Sequence, residues 1–350
     1  MSAKIWLKLG SIFFLAGCIS PEPDIQVLCQ RDGIGNYVLK WEMSPETGGL
    51  MRLYVSDHSD MSQSMPAGYA SVRDGVMTYV TNDNISRKYF RLSFDDTYER
   101  IVAARSLQMD SIRNFRDMGG YHSERAQSVR WGKVYRSGDI GRLSERDTLR
   151  LDKLRIKTII DLRTEHEAAG LPDRYSGARV VHLPISVDME DIMERIMGGQ
   201  VRKGDGSLFM QDVYLQFMEP DNARAFAQAL QLFLDEENYP ILFHCSMGKD
   251  RTGFLASLLL SALDIPEETI FSDYVATNNY VDLTRYASLV QGLDTDAQEA
   301  MTIILSAHET FLDTVLRKIK KEYGSVNQYL SEEMQLTEKQ RRKLKDILLF

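Results

Sequence analysis

Residues 241–255 read ILFHCSMGKDRTGFL, and this stretch decides the fold. Ile241-Leu242-Phe243-His244 are apolar or aromatic and follow Pro240, the pattern of a short buried strand. Phe254 to Leu260 suit a buried helix. The loop between them begins at Cys245 and ends near Arg251. Strand, tight loop and helix together aim backbone N–H groups and a helix N-terminus at one spot. That spot attracts an anion.

Each residue type in the loop has a physical reason to be there. Gly248 and Gly253 permit close approaches that a side chain would forbid. The N–H groups along Ser246, Met247, Gly248, Lys249, Asp250 and Arg251 can form a concave nest for a tetrahedral oxyanion. Arg251 adds a planar fork for two phosphate oxygens. Cys245 lies at the bottom of this positive field, which favours the thiolate and makes it a nucleophile. Thr252 can offer its hydroxyl to the sulfur. The sum is covalent phosphoryl transfer without a metal or other cofactor. A Walker loop is excluded, because Phe243 stands where its first glycine belongs and Asp250 follows Lys249. A zinc site is disfavoured by three cysteines and six histidines with only His244 and Cys245 adjacent. Two readings from other classes stay open: a silent phosphate-binding module, and a rhodanese-like sulfur transferase.

His244-Cys245, five residues and Arg251-Thr252-Gly253 resemble the active-site loop of cysteine-dependent tyrosine and dual-specificity phosphatases. The Lys249-Asp250 pair is similar to a bacterial branch of that family that includes a secreted mycobacterial enzyme. Asn114-Phe115-Arg116-Asp117-Met118-Gly119-Gly120, Tyr135-Arg136-Ser137-Gly138, Asp161-Leu162-Arg163-Thr164 with Glu167, and Tyr323-Gly324-Ser325 extend the resemblance over residues 110–350. It implies hydrolysis of phosphotyrosine proteins, with reach to phosphoserine, phosphothreonine or phosphoinositides.

The remaining chain frames this core. Strands and helices alternate after residue 110, as a parallel sheet with helices on both faces requires. Ligands of such sheets bind beyond the strands' carboxyl ends, where Asp161, Arg163, Asp188 and the Cys245 loop emerge. Arg163 is therefore added to the substrate-binding residues. Asp188 and Asp250 compete as the leaving-group acid, whereas Asp161 and Asp117 read as partners of arginines. Residues 186–220 carry Met189, Ile192, Met193, Ile196 and Met197 at helical spacing, either as a mobile lid or as a helix covering the core. Segments near 266–279, 295–322 and 336–348 are helix-length covers. This catalytic domain is expected over 109–350.

Residues 25–108 alternate instead, with strand-like runs at 37–42, 50–55, 76–80, 88–94 and 101–104. They predict a small all-β sandwich, resembling a fibronectin type III or immunoglobulin-like module, with a spacer or docking role. Residues 1–18 have Lys4 and Lys8 before a short apolar run ending Leu15-Ala16-Gly17-Cys18, which resembles a bacterial lipobox. It implies lipidation at Cys18, a tether over 19–24, and an exported lipoprotein held on a membrane of the cell envelope. The net charge of −8, with no basic tail, argues against nucleic acid as a partner.

Overall fold

The computed structural model describes residues 23–62, 65–281, 284 and 287–350. The expected signal segment with Cys18, and all of the tether before Pro23, lie outside the described residues. Asp24, expected to end the tether, already opens the first strand.

Among the described residues the first unit has seven strands: β1 (Asp24–Arg31), β2 (Tyr37–Ser44), β3 (Leu50–Ser56), β4 (Gly68–Ser71), β5 (Val76–Tyr79), β6 (Tyr89–Phe94) and β7 (Tyr98–Ala103). They pair antiparallel in two sheets, β1-β2-β5 and β4-β3-β6-β7. In β2 the pleat sends Tyr37, Leu39 and Trp41 inward while Lys40 and Glu42 face water. Those three meet Met51, Leu53, Phe90, Leu92 and Phe94 of the other sheet in one buried cluster. Trp41 also donates its indole N–H to the Val72 carbonyl at 2.7 Å, so the ring's polar atom is satisfied. Two strands escape the sequence pattern. β1 breaks its alternation with an exposed Leu28, and β4 is a four-residue edge strand, Gly-Tyr-Ala-Ser.

The second unit contains β8 (Arg116–Asp117), β9 (Val134–Ser137), α1 (Glu145–Leu154), β10 (Thr158–Asp161), α2 (Glu165–Gly170), β11 (Arg179–His182), α3 (Glu190–Met197), α4 (Asp205–Gln216), α5 (Pro220–Leu232), β12 (Ile241–His244) and α6 (Asp250–Ala262). After these come α7 (Glu267–Val275), α8 (Ala287–Val290), α9 (Thr295–Leu305), α10 (Glu309–Tyr323), α11 (Val326–Glu332) and α12 (Glu338–Leu348). The sheet order is β11-β10-β12-β9-β8, parallel except for the two-residue β8 at one edge. β12 lies between β10 and β9 with all four residues buried, which explains its unbroken apolar run. Tyr135, Ile159 and Leu242 face Leu151 and Leu154 of α1. Val134, Ile160 and Phe243 belong to the larger cluster with α5, α6 and α10. Helices therefore cover both faces, and the mixed α/β layering anticipated from the sequence is present.

Boundaries differ where tertiary contacts override local pattern. Residues 129–135 read as a strand, yet β9 begins only at Val134, because Val129 bridges to Leu349 and Trp131 turns into the β-unit's core. Helix α4 starts in a Gly-Asp-Gly sequence that reads as a loop. A Cβ on Gly206 would lie 2.7 Å from Ala300 Cα of α9, so this glycine serves a close helix crossing. The segment 295–322 is two helices, broken where Asn278 exchanges two hydrogen bonds with Ala307, at 2.8 and 2.7 Å. Ile192 and Ile196 of α3 are buried, and α3 packs against α9. None of the described helices is long and apolar enough to cross a membrane.

Candidate active site

The carboxyl ends of the parallel strands align in register: Asp161 pairs with His244, and His244 with Ser137. Cys245 follows His244 directly and is 2% exposed, so it forms the floor of the site. The loop beyond it is held from outside by its carbonyls. Asp139 donates its N–H to the Ser246 carbonyl at 3.1 Å, and the Asn114 amide donates to the Gly248 carbonyl at 2.7 Å. Arg136 donates to the same Gly248 carbonyl at 2.8 Å. Gly248 has φ +68°, and a Cβ there would meet the Ser137 backbone at 2.4 Å, so both conformation and space require glycine. With the carbonyls drawn outward, the N–H groups of residues 246–252 form no hydrogen bond among the described residues. Such an array of free donors is an anion nest.

Arg251 enters this nest from the first turn of α6. Its guanidinium meets Glu167 in a bidentate pair, at 2.5 and 2.8 Å. Glu167 is placed by the α2 capping box: its N–H donates to the Thr164 hydroxyl at 3.2 Å, and its carboxylate accepts the Thr164 N–H at 2.8 Å. The Ser246 hydroxyl donates to the same carboxylate at 2.6 Å. Burial resists ionisation of Glu167, yet the Arg251 bonds outweigh it and hold its pKa at about 2. Arg251 is held above its ordinary value, against burial, by Glu167 and by the charge of Cys245. A fixed cation thus lies beside the sulfur.

A buried shell supports the loop from behind. Arg116 bonds the Asn114 side-chain oxygen and the Asp273 carbonyl, the latter at 3.1 Å, while Arg136 reaches the Asp273 carboxylate at 2.5 Å. Tyr121 adds a hydroxyl to that carboxylate at 2.7 Å. Burial opposes the Asp273 charge, but Arg136 and Arg116 pull its pKa down to about 2. Beneath the strand ends, His244 is 3.0 Å from Asp173 and its ring is fully buried. Asp161, Asp173 and His244 bring their ligand atoms within 4.8 Å of one another, and the Arg163 guanidinium supplies the positive charge for this cluster.

The structure distributes the expected site residues unevenly. Cys245, Ser246, Met247, Gly248, Asp250, Arg251 and Thr252 form the loop and the first helical turn. Arg163 does not reach the nest: it bonds Asp161 at 2.8 and 2.9 Å, Asp173 at 2.6 Å and the Leu171 carbonyl at 2.7 Å. All that bonding turns it into a brace for the strand ends. Lys249 is 1% exposed and turns away from the loop mouth, donating to the Ile304 carbonyl and, at 3.0 Å, to that of Ser306. The Thr252 hydroxyl is buried with no partner among the described residues, so its expected bond to the sulfur is not formed. Asp250 accepts from the Tyr214 hydroxyl at 2.9 Å and lies 3.5 Å from Lys249. The Tyr214 and Tyr274 hydroxyl oxygens lie 2.7 Å apart, so with its own proton on Asp250 the Tyr214 oxygen accepts from Tyr274. Asp188 is exposed, and its carboxylate has no partner among the described residues. The carbonyl of Ile185, three residues earlier, lies 3.5 Å from Arg251.

Sequence reading left several of these groups without a role. Glu167, Asn114 and Arg136 belong to the motifs that carry the family resemblance, which is the signal that points to them. Asp273 and Tyr214 lie in helices with no local mark.

Comparison with known proteins agrees with this geometry. The model of the tyrosine phosphatase family matches residues 107–350. A protein assigned to the tyrosine phosphatases in Cupriavidus necator is 33% identical over 241 residues, 66% of this chain and 84% of that one. The triple specificity protein phosphatase PtpB of Mycobacterium tuberculosis is 29% identical over 253 residues, 62% of this chain and 90% of its own. Among solved structures, TpbA of P. aeruginosa aligns with 52% of this chain and 97% of its own, at 19% identity and a TM-score of 0.28. The match over 107–350, which contains the Cys245 loop and the residues bonded directly to it, shows that the chain belongs to the tyrosine phosphatase family.

Proposed function

We propose that the protein hydrolyses phosphomonoesters through a cysteinyl-phosphate at Cys245. The observation that carries this reading is a nearly buried cysteine beneath unpaired backbone N–H groups with a fixed arginine at its side. The phosphoryl oxygens bind the N–H groups of the loop and Arg251. The Cys245 thiolate attacks phosphorus, the P–S bond forms, and the P–O ester bond breaks. Asp188 gives its proton to the departing oxygen. Water then attacks phosphorus, the P–S bond breaks, and Asp188 takes the water's proton back. The Thr252 hydroxyl, free of protein partners, is available to the leaving sulfur. Asp250 orients the loop, because Tyr214 and Lys249 already engage its carboxylate.

Phosphotyrosine proteins are the first substrate class on this reading, since a deep floor suits a long aromatic phosphoester. Extension to phosphoserine, phosphothreonine and phosphoinositides is supported by the triple specificity named for the mycobacterial relative. No support comes from Lys249, whose amino group is occupied elsewhere. We further read the chain as an exported lipoprotein, anchored through Cys18 with the fibronectin-like β-unit between membrane and enzyme. Turnover of p-nitrophenyl phosphate in the presence of a chelator tests the chemistry. Activity that survives chelation and disappears in Cys245→Ser supports it. A sulfur transferase or a silent binding module would give no phosphate release.

A further inference from the structure

The β-unit is joined to the catalytic unit through the strand pair that carries the loop's braces. Arg116 lies opposite Arg136, and Asp117 opposite Tyr135. Successive residues of a strand point to opposite sides, and here the two sides serve different units. On one side, Arg116 and Arg136 hold Asn114, Asp273 and the Gly248 carbonyl. On the other, Asp117 and Tyr135 meet Arg87 and Tyr89 of the β-unit. Arg87 forms an ion pair with Asp117, donates to Tyr135 at 3.3 Å, and ties back to the Ala104 carbonyl at 2.8 Å. The Tyr89 and Tyr135 hydroxyls are 3.2 Å apart. Arg87 is 6% exposed and Asp117 fully buried.

We infer that Arg87, supplied by the β-unit, is a positioning residue for the phosphatase site, acting through the Asp117–Tyr135 side of the strand pair on the Arg116–Arg136 side. A two-residue edge strand has little ladder of its own. Asp117 therefore serves as its anchor, holding the N–H groups of Gly119 at 2.6 Å and Gly132 at 2.7 Å as well as Arg87. Release of Arg87 leaves a buried carboxylate without its cation, and the strand must shift or take up water. Any shift is passed to the Gly248 carbonyl, which orients the nest. The family match begins at residue 107, so Arg87 reaches this site from outside the matched span. On this account Arg87 is the β-unit's contribution to the positioning of the catalytic loop.

The inference rests on the phosphatase reading, and the two are tested apart. In the full chain, Arg87→Met, Arg87→Lys and the charge-matched Arg87→Met/Asp117→Asn are compared with Leu39→Ala, which opens the β-unit's core and leaves the Arg87–Asp117 pair in place. Affinity for inorganic phosphate and kcat/KM for p-nitrophenyl phosphate are read well below the unfolding transition. The expected result is a loss of about 10- to 100-fold in both for Arg87→Met, a smaller loss for Arg87→Lys, and none for Leu39→Ala. If Arg87→Met does not fold, the double variant is expected to show the same loss. Wild-type phosphate affinity and kcat/KM in the folded Arg87 variants, or an equal loss in Leu39→Ala, overturns the inference. A wild-type protein without turnover overturns the phosphatase reading instead, and phosphate affinity then still decides the role of Arg87.

Discussion

The front and the back of the catalytic loop are built on opposite plans. In front, donors are left unpaired: the N–H groups of residues 246–252 have no partner among the described residues, and Arg251 is held by one carboxylate. Behind, polar groups engage one another: Asn114, Arg116, Arg136 and Asp273 form one buried network, and Asp117 with Arg87 of the β-unit forms a pair on the other side of the same strands. The front can bind an anion because the loop's Ser246 and Gly248 carbonyls are already claimed from outside. Preorganised donors need no rearrangement when charge develops in a transition state. The buried pairs that preorganise them add little net stability themselves, but breaking one of them is expensive.

Substitutions on the two sides are therefore expected to differ in kind. The largest effect belongs to the front: Arg251→Ala lowers kcat/KM by about 10³-fold or more, since its fork contacts both ground and transition states. Its melting temperature changes less than that of any back-side variant. Arg136→Met shows the opposite balance. It removes one of the two donors to the Gly248 carbonyl and takes a cation from Asp273, so about 3–5 kcal/mol of stability is lost along with about 10²-fold in rate. A back-side variant that keeps full stability while losing activity would erase the distinction.

Asp188→Asn sharpens the front further. Steady-state rates with a phosphoserine peptide fall by about 10²-fold, and those with p-nitrophenyl phosphate by less, because nitrophenolate needs little protonation. Equal losses on both transfer the acid role to Asp250. Lys249→Met is a smaller, back-side change. Two carbonyls lose their donor, so unfolding free energy drops by about 1–3 kcal/mol, while kcat/KM for a phosphotyrosine peptide and for a bisphosphorylated inositol lipid falls by the same factor. A selective loss on the lipid would show that Lys249 leaves Ile304 and Ser306 to meet substrate.

The smallest effect is a pH dependence of stability. Glu167 is held at about 2 from its usual 4.5, so its contribution is present above 4.5 and disappears as pH falls toward 2. The stability difference between wild type and Glu167→Gln, followed by chemical denaturation, should shrink across that interval. A constant difference would mean that Arg251 and Glu167 are not coupled.

What the sequence disclosed follows the same division. The nest, its nucleophile and its arginine lie in eight consecutive residues, 245–252, and the buried run of β12 announces the strand beneath them, so pattern alone reaches the front. The back joins residues more than a hundred positions apart, such as Asn114 with Gly248 and Arg136 with Asp273. No local period encodes such pairs. Arg163 illustrates the resulting error: its place beyond a strand end suggested substrate, whereas Asp161, Asp173 and the Leu171 carbonyl occupy it. The Lys249 N–H stays with the loop, but its side chain is claimed by the Ile304 and Ser306 carbonyls at the end of α9. The role of Gly206 at the α9 crossing is visible only once Ala300 is in place.

The most direct test of the account is to quench the enzyme in acid during turnover of p-nitrophenyl phosphate and to map the phosphoryl group by peptide mass spectrometry. The account predicts a phosphoryl adduct on the peptide that carries Cys245 in the wild type. It predicts no adduct and no turnover in Cys245→Ser, with inorganic phosphate still bound. Turnover by Cys245→Ser, or an adduct on any other residue, would contradict it.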